Sequence, residues 1–200
     1  MQADEILQIA CATIEQESAA VANLVTQLNH NFVKAAQLLL NCQGHVLVAG
    51  SGTSHPVAAR LAHLLSCCGT PSLFIHPGDS QHGLSGAVIK QDVLIAISKG
   101  GETTEVNHLA AIAKSRGASL IALTEKPAST LGRLADVVLQ VQPPANIDPY
   151  GMIATGSSLV NSAFGDALCV VMLRLRNYSL EKFGETHPGG AVGRKLKENL

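Results

Sequence analysis

The stretch DVLIAISKGGETTEVNHLAAIAK, residues 92–114, decides the fold because it joins two kinds of structure through a glycine pair. Its first part, DVLIAIS, is apolar throughout and too short for a helix, as expected for a parallel strand covered on both faces. Its last part has the length and composition of a helix. The stretch therefore predicts a buried strand, a tight turn and a helix in direct succession.

The same unit recurs along the chain from residue 44 onward. Short apolar runs that predict strands occupy residues 45–50, 71–76, 92–98, 119–124 and 136–141. Segments of helical length lie between them at residues 54–68, 104–116 and 129–135. Alternation of this kind predicts an α/β fold, a three-layer αβα sandwich around a five-stranded parallel sheet. In such sheets ligands bind beyond the carboxyl ends of the strands, so the loops that follow the strands are the candidate site.

The two ends of the chain have different patterns. Residues 3–42 keep a helical apolar period, which predicts one or two helices that pack across the domain or on a second subunit. Residues 154–176 predict a long buried helix, followed by a short helical turn and the loop 185–190. Charges alternate in sign over residues 181–198, and we expect a solvated polar end there. We expect a single domain over residues 1–200.

Composition excludes several classes of partner. The net charge of −1 argues against a general binder of nucleic acid or membranes, so any bound anion must be held by local groups. Two Tyr, four Phe and no Trp offer no stacking platform for single-stranded nucleic acid. Five cysteines, an odd number, fit a reduced cytoplasm, and the sequence has neither a secretory signal nor an apolar run of about 18 residues. We therefore expect a cytoplasmic protein with no nucleic-acid or membrane partner.

The loop after the first strand, GSGTSH at residues 50–55, suits a small anion. It has two glycines of the dinucleotide fingerprint, but His55 stands where the third would be, and no Gly-Lys-Ser/Thr follows. An NAD or nucleotide site is therefore disfavoured. Ser51, Thr53 and Ser54 surround Gly52 at a helix start, where hydroxyls and free N–H groups bind anions. The simpler alternative is an ordinary N-cap in a tight turn.

The loop after the third strand repeats this pattern. Ser98 precedes the glycines, and Thr103 begins the next helix. Two hydroxyl-rich loops from neighbouring strands can converge on one phosphate. Glu102 could simply offset the helix dipole. Beside a bound phosphate, however, its pKa would rise toward the range useful for a general base.

These motifs resemble the sugar isomerase (SIS) domain, a flavodoxin-like fold, in its arabinose-5-phosphate isomerase branch. The resemblance covers nearly the whole chain in matching order, and HPGDSQHG (76–83) and THPGGAVGRKL (186–196) are specific to that branch. It implies an enzyme that interconverts D-ribulose 5-phosphate and D-arabinose 5-phosphate through an enediolate, with no cofactor required. Branch members often continue into paired CBS domains, which we do not expect within these 200 residues.

The resemblance also implies roles for individual residues. The phosphate would be held by the hydroxyls and turns of the two loops, namely Ser51, Gly52, Thr53, Ser54, Ser98, Gly101 and Thr103. Glu102 would be the carbon base. His187 would assist ring opening or shuttle protons, and in this family that histidine can reach a neighbouring subunit, so a homotetramer with sites at subunit interfaces is expected. Without the resemblance, the favoured interpretation of His187 is a histidine that orders a Pro-Gly-Gly turn.

At three places the sequence differs from the arabinose-5-phosphate isomerase pattern, and these differences bear on which sugar is the substrate. Thr53 stands in place of a lysine in the first loop, Lys99 and Gly100 replace an Asn-Ser pair in the third, and Ala128 replaces a glutamate, although Glu125 lies three residues earlier. We hypothesise that Lys99 restores the cation lost at Thr53. An isomerase for a different sugar phosphate therefore stays an alternative.

The segment HPGDSQH, residues 76–82, carries two histidines and an aspartate. His76, Asp79 and His82 are possible metal ligands, but their spacing is not that of a closed structural site, and we expect no metal. We expect instead a loop over the active site, with His82 touching substrate hydroxyls. A further alternative is a non-catalytic phosphosugar-binding module, as found in regulators, but residues 3–42 lack the basic recognition helix of a DNA-binding segment.

Overall fold

A five-stranded parallel sheet forms the centre of the molecule. The structure is a computed structural model that describes the backbone of residues 2–199 and the side chains of residues 2–196. The strands are β1 (Val46–Gly50), β2 (Ser72–Phe74), β3 (Val93–Ile97), β4 (Ser119–Thr124) and β5 (Val137–Gln140). Their order is β2-β1-β3-β4-β5 and every neighbouring pair is parallel. All five predicted strands are confirmed.

Helices cover both faces of the sheet. They are α1 (Ala3–Ala22), α2 (His30–Leu40), α3 (Ser54–Cys67), α4 (Pro77–Ser80), α5 (Thr104–Ser115), α6 (Thr130–Leu134), α7 (Gly156–Leu175), α8 (Leu180–Thr186) and α9 (Gly190–Asn199). Short 3-10 turns occupy Asn23–Gln27, Leu84–Ala87 and Pro149–Gly151. The predicted helices agree with α3, α5, α6 and α7 to within two residues at either end.

Two apolar layers sandwich the sheet, as the three-layer prediction requires. On one face, Val48 and Ile95 pack in a core with Leu65 of α3 and Leu168 of α7. On the other face, alternate strand residues such as Leu94 pack against α5 and α6. Every residue of β1 and β3 is buried, because side chains on both faces of these strands are covered.

The strand order creates a crevice between the carboxyl ends of β1 and β3. From β1 the chain crosses through α3 to β2 on one side, and from β3 it crosses through α5 to β4 on the other. Ligands bind at such reversal points in open α/β sheets. Gly50 pairs with Ile97 at the ends of the two strands, so the loops that follow them begin side by side.

The N-terminal helical segment is confirmed as α1 and α2, but α1 leaves most of its apolar side chains exposed. Ala20 is the buried residue of α1, whereas Ile6, Leu7, Ile9 and Ile14 are 52–67% exposed. Apolar surface of this extent usually marks an interaction face. Helix α7 is long and apolar enough by length and composition to cross a membrane, but its Val160, Phe164 and Leu168 lie in the core of this fold.

The predicted polar end after α7 has exposed charged side chains up to residue 195, as expected, but it is helical and not an irregular tail. Residues 180–186 and 190–199 form α8 and α9, with only residues 187–189 between them outside the two helices. Leu196 of α9 is buried, which gives this helix an anchored face that the charge pattern concealed. The side chains of Lys197 and Glu198, which belong to the predicted polar end, lie outside the described residues.

Candidate active site

The loop after β1 forms a tight turn into α3. The backbone N–H of Ser54 donates to Ser51 O over 3.0 Å, and that of His55 donates to Gly52 O over 3.1 Å. Gly52 has φ of +56°, a conformation that glycine adopts without strain. Ser51 Oγ is buried without a hydrogen-bond partner of standard geometry in the described part of the chain. The Glu105 carboxylate lies beside this hydroxyl, and its pKa is lowered by a bond from its own backbone N–H and by Ser51.

The loop after β3 is a second turn, braced by its own hydroxyls. Ser98 Oγ lies 3.0 Å from Thr103 Oγ1 and accepts a 3.1 Å hydrogen bond from the backbone N–H of Gly101. Gly101 has φ of +70°, and a Cβ on it would overlap the side chain of Ser129. Only glycine satisfies both the dihedral angle and the close approach. The turn is thus fixed in shape before any ligand binds.

The helices that leave these two turns lack side-chain caps. Thr53 and Thr103 occupy the N-cap positions of α3 and α5, and neither makes a side-chain capping hydrogen bond. By contrast, Asn29, Ser129 and Ser179 cap α2, α6 and α8. The N-cap alternative is therefore not realised at Thr53. The first two N–H groups of α3 are used within the turn, and in α5 the Glu105 carboxylate accepts from its own backbone N–H. The positive dipole ends of both helices still favour an anion.

A cleft lies between the β1 turn and the start of α7. It has a volume of about 40 Å³ and is lined by Thr53, Ser54, Val57, Lys99, Ala154, Ser157, Ser158 and Asn161. Lys99 comes from the β3 turn, so the structure brings both predicted loops to one cleft. A cavity of about 10–15 Å³ on this scale holds one water molecule, so the cleft has room for only a few. It is too small to enclose a whole sugar phosphate within one chain.

Lys99 is held by a buried carboxylate that the sequence did not single out. Its Nζ lies 2.7 Å from Asp148 Oδ2, and Asp148 Oδ1 accepts from the backbone N–H of Ser157 over 2.9 Å. Burial opposes the charged form of Lys99, but the hydrogen bond to Asp148 and the charge of Glu125 outweigh it, so the pKa of Lys99 is raised. Burial likewise disfavours ionised Asp148, yet the bonds from Lys99 and Ser157 prevail and lower its pKa.

Glu102 lies away from this cleft. Its Oε1 accepts a 2.9 Å hydrogen bond from the backbone N–H of Thr130, at the first position of α6, and its side chain is exposed. This backbone hydrogen bond, with smaller help from the Thr130 hydroxyl and Arg133, lowers the pKa of Glu102. Glu102 therefore serves here as a capping group for α6, and the rise in its pKa expected beside a bound phosphate stays a prediction.

His187 is also remote from the two turns of its own chain. Its Nε2 lies 3.6 Å from Cys67 Sγ, its Nδ1 lies 2.9 Å from Phe183 O, and its ring stacks on Phe183 with centroids 3.8 Å apart. Cys67 ends α3, whereas Ser54 begins it. A helix of 14 residues at about 1.5 Å per residue separates the two ends by about 20 Å. One chain therefore does not bring His187 to Ser54.

The segment after β2 places its histidines separately. His55, Phe74 and His76 form a ring cluster, with 4.4 Å between the centroids of His55 and Phe74 and 5.4 Å between those of His55 and His76. His76 Nδ1 lies 4.0 Å from Asp79 Oδ2. His82 is exposed, and within residues 2–196 its imidazole makes no hydrogen bond. The same residues contain no group of three His, Cys, Asp or Glu side chains arranged to hold a metal.

Sequence reasoning missed the part of the site that comes from the loop before α7. Asp148 and Ser157 were not predicted, although Asp148 holds Lys99 and Ser157 lines the cleft and donates to Asp148. The available signal was an acidic residue before a Pro-Tyr-Gly turn, after the last strand, where the carboxyl ends of the sheet meet. Such a turn is too common in loops to have identified the residue.

Comparison with known proteins agrees with this architecture. The sequence profile described as the SIS domain matches residues 39–171. The arabinose 5-phosphate isomerase KdsD of Salmonella typhi is 40% identical over 183 residues, which is 92% of this chain and 56% of that protein. The chain thus spans about half the length of the curated relatives it matches.

Solved structures extend the likeness to three dimensions. A candidate sugar-phosphate isomerase from Listeria monocytogenes has a TM-score of 0.91 at 36% identity, over 94% of this chain and 100% of that one. The protein c3406 of E. coli CFT073, solved in complex with arabinose 5-phosphate, has a TM-score of 0.90 at 30% identity over the same fractions. The profile covers well over half of the sequence and the fold agrees over nearly all of it: this chain belongs to the SIS domain family.

Proposed function

We propose that this protein is a phosphosugar aldose-ketose isomerase, which interconverts D-ribulose 5-phosphate and D-arabinose 5-phosphate. One observation carries the proposal: two glycine turns end neighbouring strands at the reversal point of the sheet, and each leads into a helix whose N-cap threonine makes no capping hydrogen bond. Curated relatives at 40% identity are named arabinose 5-phosphate isomerases, and a structure with a TM-score of 0.90 holds arabinose 5-phosphate.

The phosphate of the substrate binds between the two turns. Ser51, Thr53 and Ser54 supply groups from the first turn, while Ser98 and Thr103 supply hydroxyls from the second. Gly52 and Gly101 allow the backbone to approach, and the positive dipole ends of α3 and α5 favour a dianion there. Anchoring the phosphate holds the carbonyl end of the sugar at a fixed distance from the catalytic groups.

Isomerisation moves one proton between adjacent carbons. A base breaks the C2–H bond of the aldose, the electron pair forms the C1=C2 bond of an enediolate, and a proton is returned to C1 to give the ketose. No redox cofactor takes part. Glu102 is the proposed carbon base. In this role the Glu102 side chain gives up its hydrogen bond with the N–H of Thr130, and the charge of the nearby phosphate raises the pKa of Glu102.

His187 acts from a neighbouring subunit in this proposal. The distance of about 20 Å along α3 separates it from the turns of its own chain, and the cleft of about 40 Å³ is too small to enclose a sugar phosphate alone. The exposed apolar residues of α1 offer a surface for a second copy. We therefore propose a homotetramer in which sites lie at subunit interfaces.

The proposal also covers the extent of the domain, the cellular compartment, the role of His82 and the identity of the sugar. Residues 1–200 form one SIS domain in a cytoplasmic protein; the family profile itself covers residues 39–171, and residues 1 and 200 lie outside the described part. His82 reaches substrate hydroxyls from the segment over the site. Thr53, Lys99 and Ala128 depart from the arabinose-5-phosphate isomerase pattern, so an isomerase for a different sugar phosphate is the second candidate.

A substrate panel tests the proposal. Wild-type protein and the Glu102→Gln variant are incubated with pentose and hexose phosphates, and the aldose and ketose products are separated and quantified. We expect turnover of D-ribulose 5-phosphate by the wild type. Saturable binding of sugar phosphates without turnover of any of them would instead identify a non-catalytic phosphosugar-binding module.

A further inference from the structure

A second carboxylate, Glu125, lies beside the cleft and is pinned to the loop that carries Lys99. It follows directly after β4. Its backbone N–H donates to Lys99 O over 3.0 Å, and Gln140 Nε2 donates to its carbonyl oxygen over 3.3 Å. The carboxylate lies 3.8 Å from Lys99 Nζ, and the side chain is 23% exposed. Glu125 is therefore held between the ends of β3, β4 and β5.

Lys99 has two carboxylate neighbours, Asp148 and Glu125, which differ in the hydrogen bonds that their oxygens accept. The Asp148 side chain is 1% exposed, and both of its oxygens are occupied, one by Lys99 and the other by Ser157 N–H. The Glu125 carboxylate lies farther from the Lys99 ammonium group. It accepts no hydrogen bond shorter than 3.5 Å from any group within residues 2–196. Asp148 is thus fixed in a structural pair, whereas Glu125 has free acceptor positions.

The surroundings of Glu125 raise the pKa of its carboxyl group. Burial raises its pKa most, and the nearby charge of Asp148 acts in the same direction. The positive charges of Lys99 and Lys126 oppose this increase without cancelling it. A carboxyl group whose pKa moves toward neutral can serve as acid and as base in one cycle. Glu102, with its lowered pKa, does not have this property in the same structure.

We propose that Glu125 is a second acid-base residue of the isomerase reaction, which transfers the proton between the two substrate oxygens. Lys99 contacts the same oxygens, and Asp148 is a positioning residue that acts through Lys99. This inference rests on the proposed isomerase function and assigns the group that handles the oxygen proton at that site.

The step is balanced without a further reactant. Starting from the aldose, the carbon base takes the C2 proton while protonated Glu125 gives its proton to O1, so that an O1–H bond forms and the C2–H electron pair becomes the C1=C2 bond. The carbon base then returns its proton to C1 as Glu125 takes the proton from O2, which regenerates the carbonyl at C2. Both carboxyl groups end in their starting protonation states.

Kinetics of Glu125→Ala, with and without added formate, test the inference. We expect kcat to fall about 100-fold or more, which is typical for loss of an acid-base group, while KM changes less than about threefold. Formate, which replaces the missing carboxylate, should restore part of kcat. The matched control is Asp136→Asn, because Asp136 also pairs with a lysine, Lys114 at 2.6 Å, but lies outside the cleft. Its kcat should stay at the wild-type value.

The pH dependence of kcat in a Lys99→Met variant is a second test. A purely structural role of Glu125 would leave this pH dependence unchanged. Lys99 lowers the pKa of Glu125, so its removal should shift the limb of the kcat-pH profile that reports Glu125 to higher pH. An unshifted limb contradicts the assignment, and so does wild-type kcat in Glu125→Ala or a folded, inactive Glu125→Ala that formate does not restore.

The outcomes also separate this inference from the proposed function. If the wild type converts none of the sugar phosphates, the isomerase proposal fails and the role of Glu125 falls with it. If the wild type is active and Glu125→Ala is equally active, the assignment of Glu125 alone is wrong.

Discussion

Lys99 and Asp148 join the turn after β3 to the start of α7, with 2.7 Å between the ammonium nitrogen and the buried carboxylate oxygen. The second oxygen of Asp148 accepts from Ser157 N–H, so one carboxylate fixes both a cleft lysine and a helix N-terminus. The position of Lys99 is therefore a property of the fold and not of a mobile surface side chain.

Replacing Lys99 by Ala should affect binding and stability together. The KM for the sugar phosphate should rise, because the cleft loses the cation proposed to contact substrate. Asp148 loses its partner, but Lys99 is 40% exposed and water can replace part of the interaction. We expect a loss of about 1–2 kcal/mol in the free energy of unfolding, below the value for a fully buried pair. Lys126→Ala, on an exposed residue, is the control. An unchanged KM would remove Lys99 from the binding site.

The Asp148 carboxylate should make stability depend on pH in the acidic range. Its folded-state pKa lies below the unfolded value of about 3.9, so its contribution is fully present above that value and is lost as the pH falls through the folded-state pKa. In Asp148→Asn the acceptor for Ser157 is retained and the charge is lost. Chemical denaturation of both proteins should give a constant difference at neutral pH that shrinks below about pH 4. A difference independent of pH would show that the charge is not responsible.

Two adjacent glycines offer a matched pair for the turn after β3. Gly101→Ala places a Cβ into Ser129 at a positive φ and should cost about 2–4 kcal/mol of stability. At Gly100 an added Cβ meets no heavy atom within 4 Å, so Gly100→Ala should cost less than about 1 kcal/mol. Thermal unfolding of both variants measures the difference. Equal losses would contradict the close packing of this turn.

The sequence predicted the sheet well because a buried parallel strand has a strong local signature. The run 92–98 is apolar on both faces, and the glycines and hydroxyls after it specify a turn and a helix start within a few residues. The convergence of the loops that carry Ser51 and Ser98 followed from the adjacency of their strands. The residues within each short segment were therefore sufficient to predict these strands and turns.

Other features depend on contacts between distant parts of the chain, which the sequence does not reveal. Asp148 meets Lys99 across 49 positions, and Glu102 turns to Thr130 across 28. The lowered pKa of Glu102 depends on that second contact, which its neighbours in sequence do not reveal. Helix α9 was missed because its charges concealed the buried side that Leu196 provides.

Mixed oligomers test whether His187 acts across a subunit interface. Glu102→Gln and His187→Asn should each be inactive as homo-oligomers. Refolding the two together should restore activity, because some sites in the mixture combine an intact Glu102 with an intact His187 from another chain. The active fraction measured against mixing ratio reports this pairing. Mixtures that stay as inactive as the parents would show that both residues must come from one chain or that neither is catalytic.

Solvent isotope exchange during the reaction tests the isomerase assignment most directly. Wild-type protein and Glu102→Gln are incubated with D-ribulose 5-phosphate in heavy water, and the carbon-bound proton signals are followed by NMR. We predict that the wild type replaces a carbon-bound proton by deuterium as arabinose 5-phosphate forms, and that folded Glu102→Gln does so at least about 100-fold more slowly. Binding of the sugar phosphate by folded wild type with neither deuterium incorporation nor formation of an aldose would contradict the assignment.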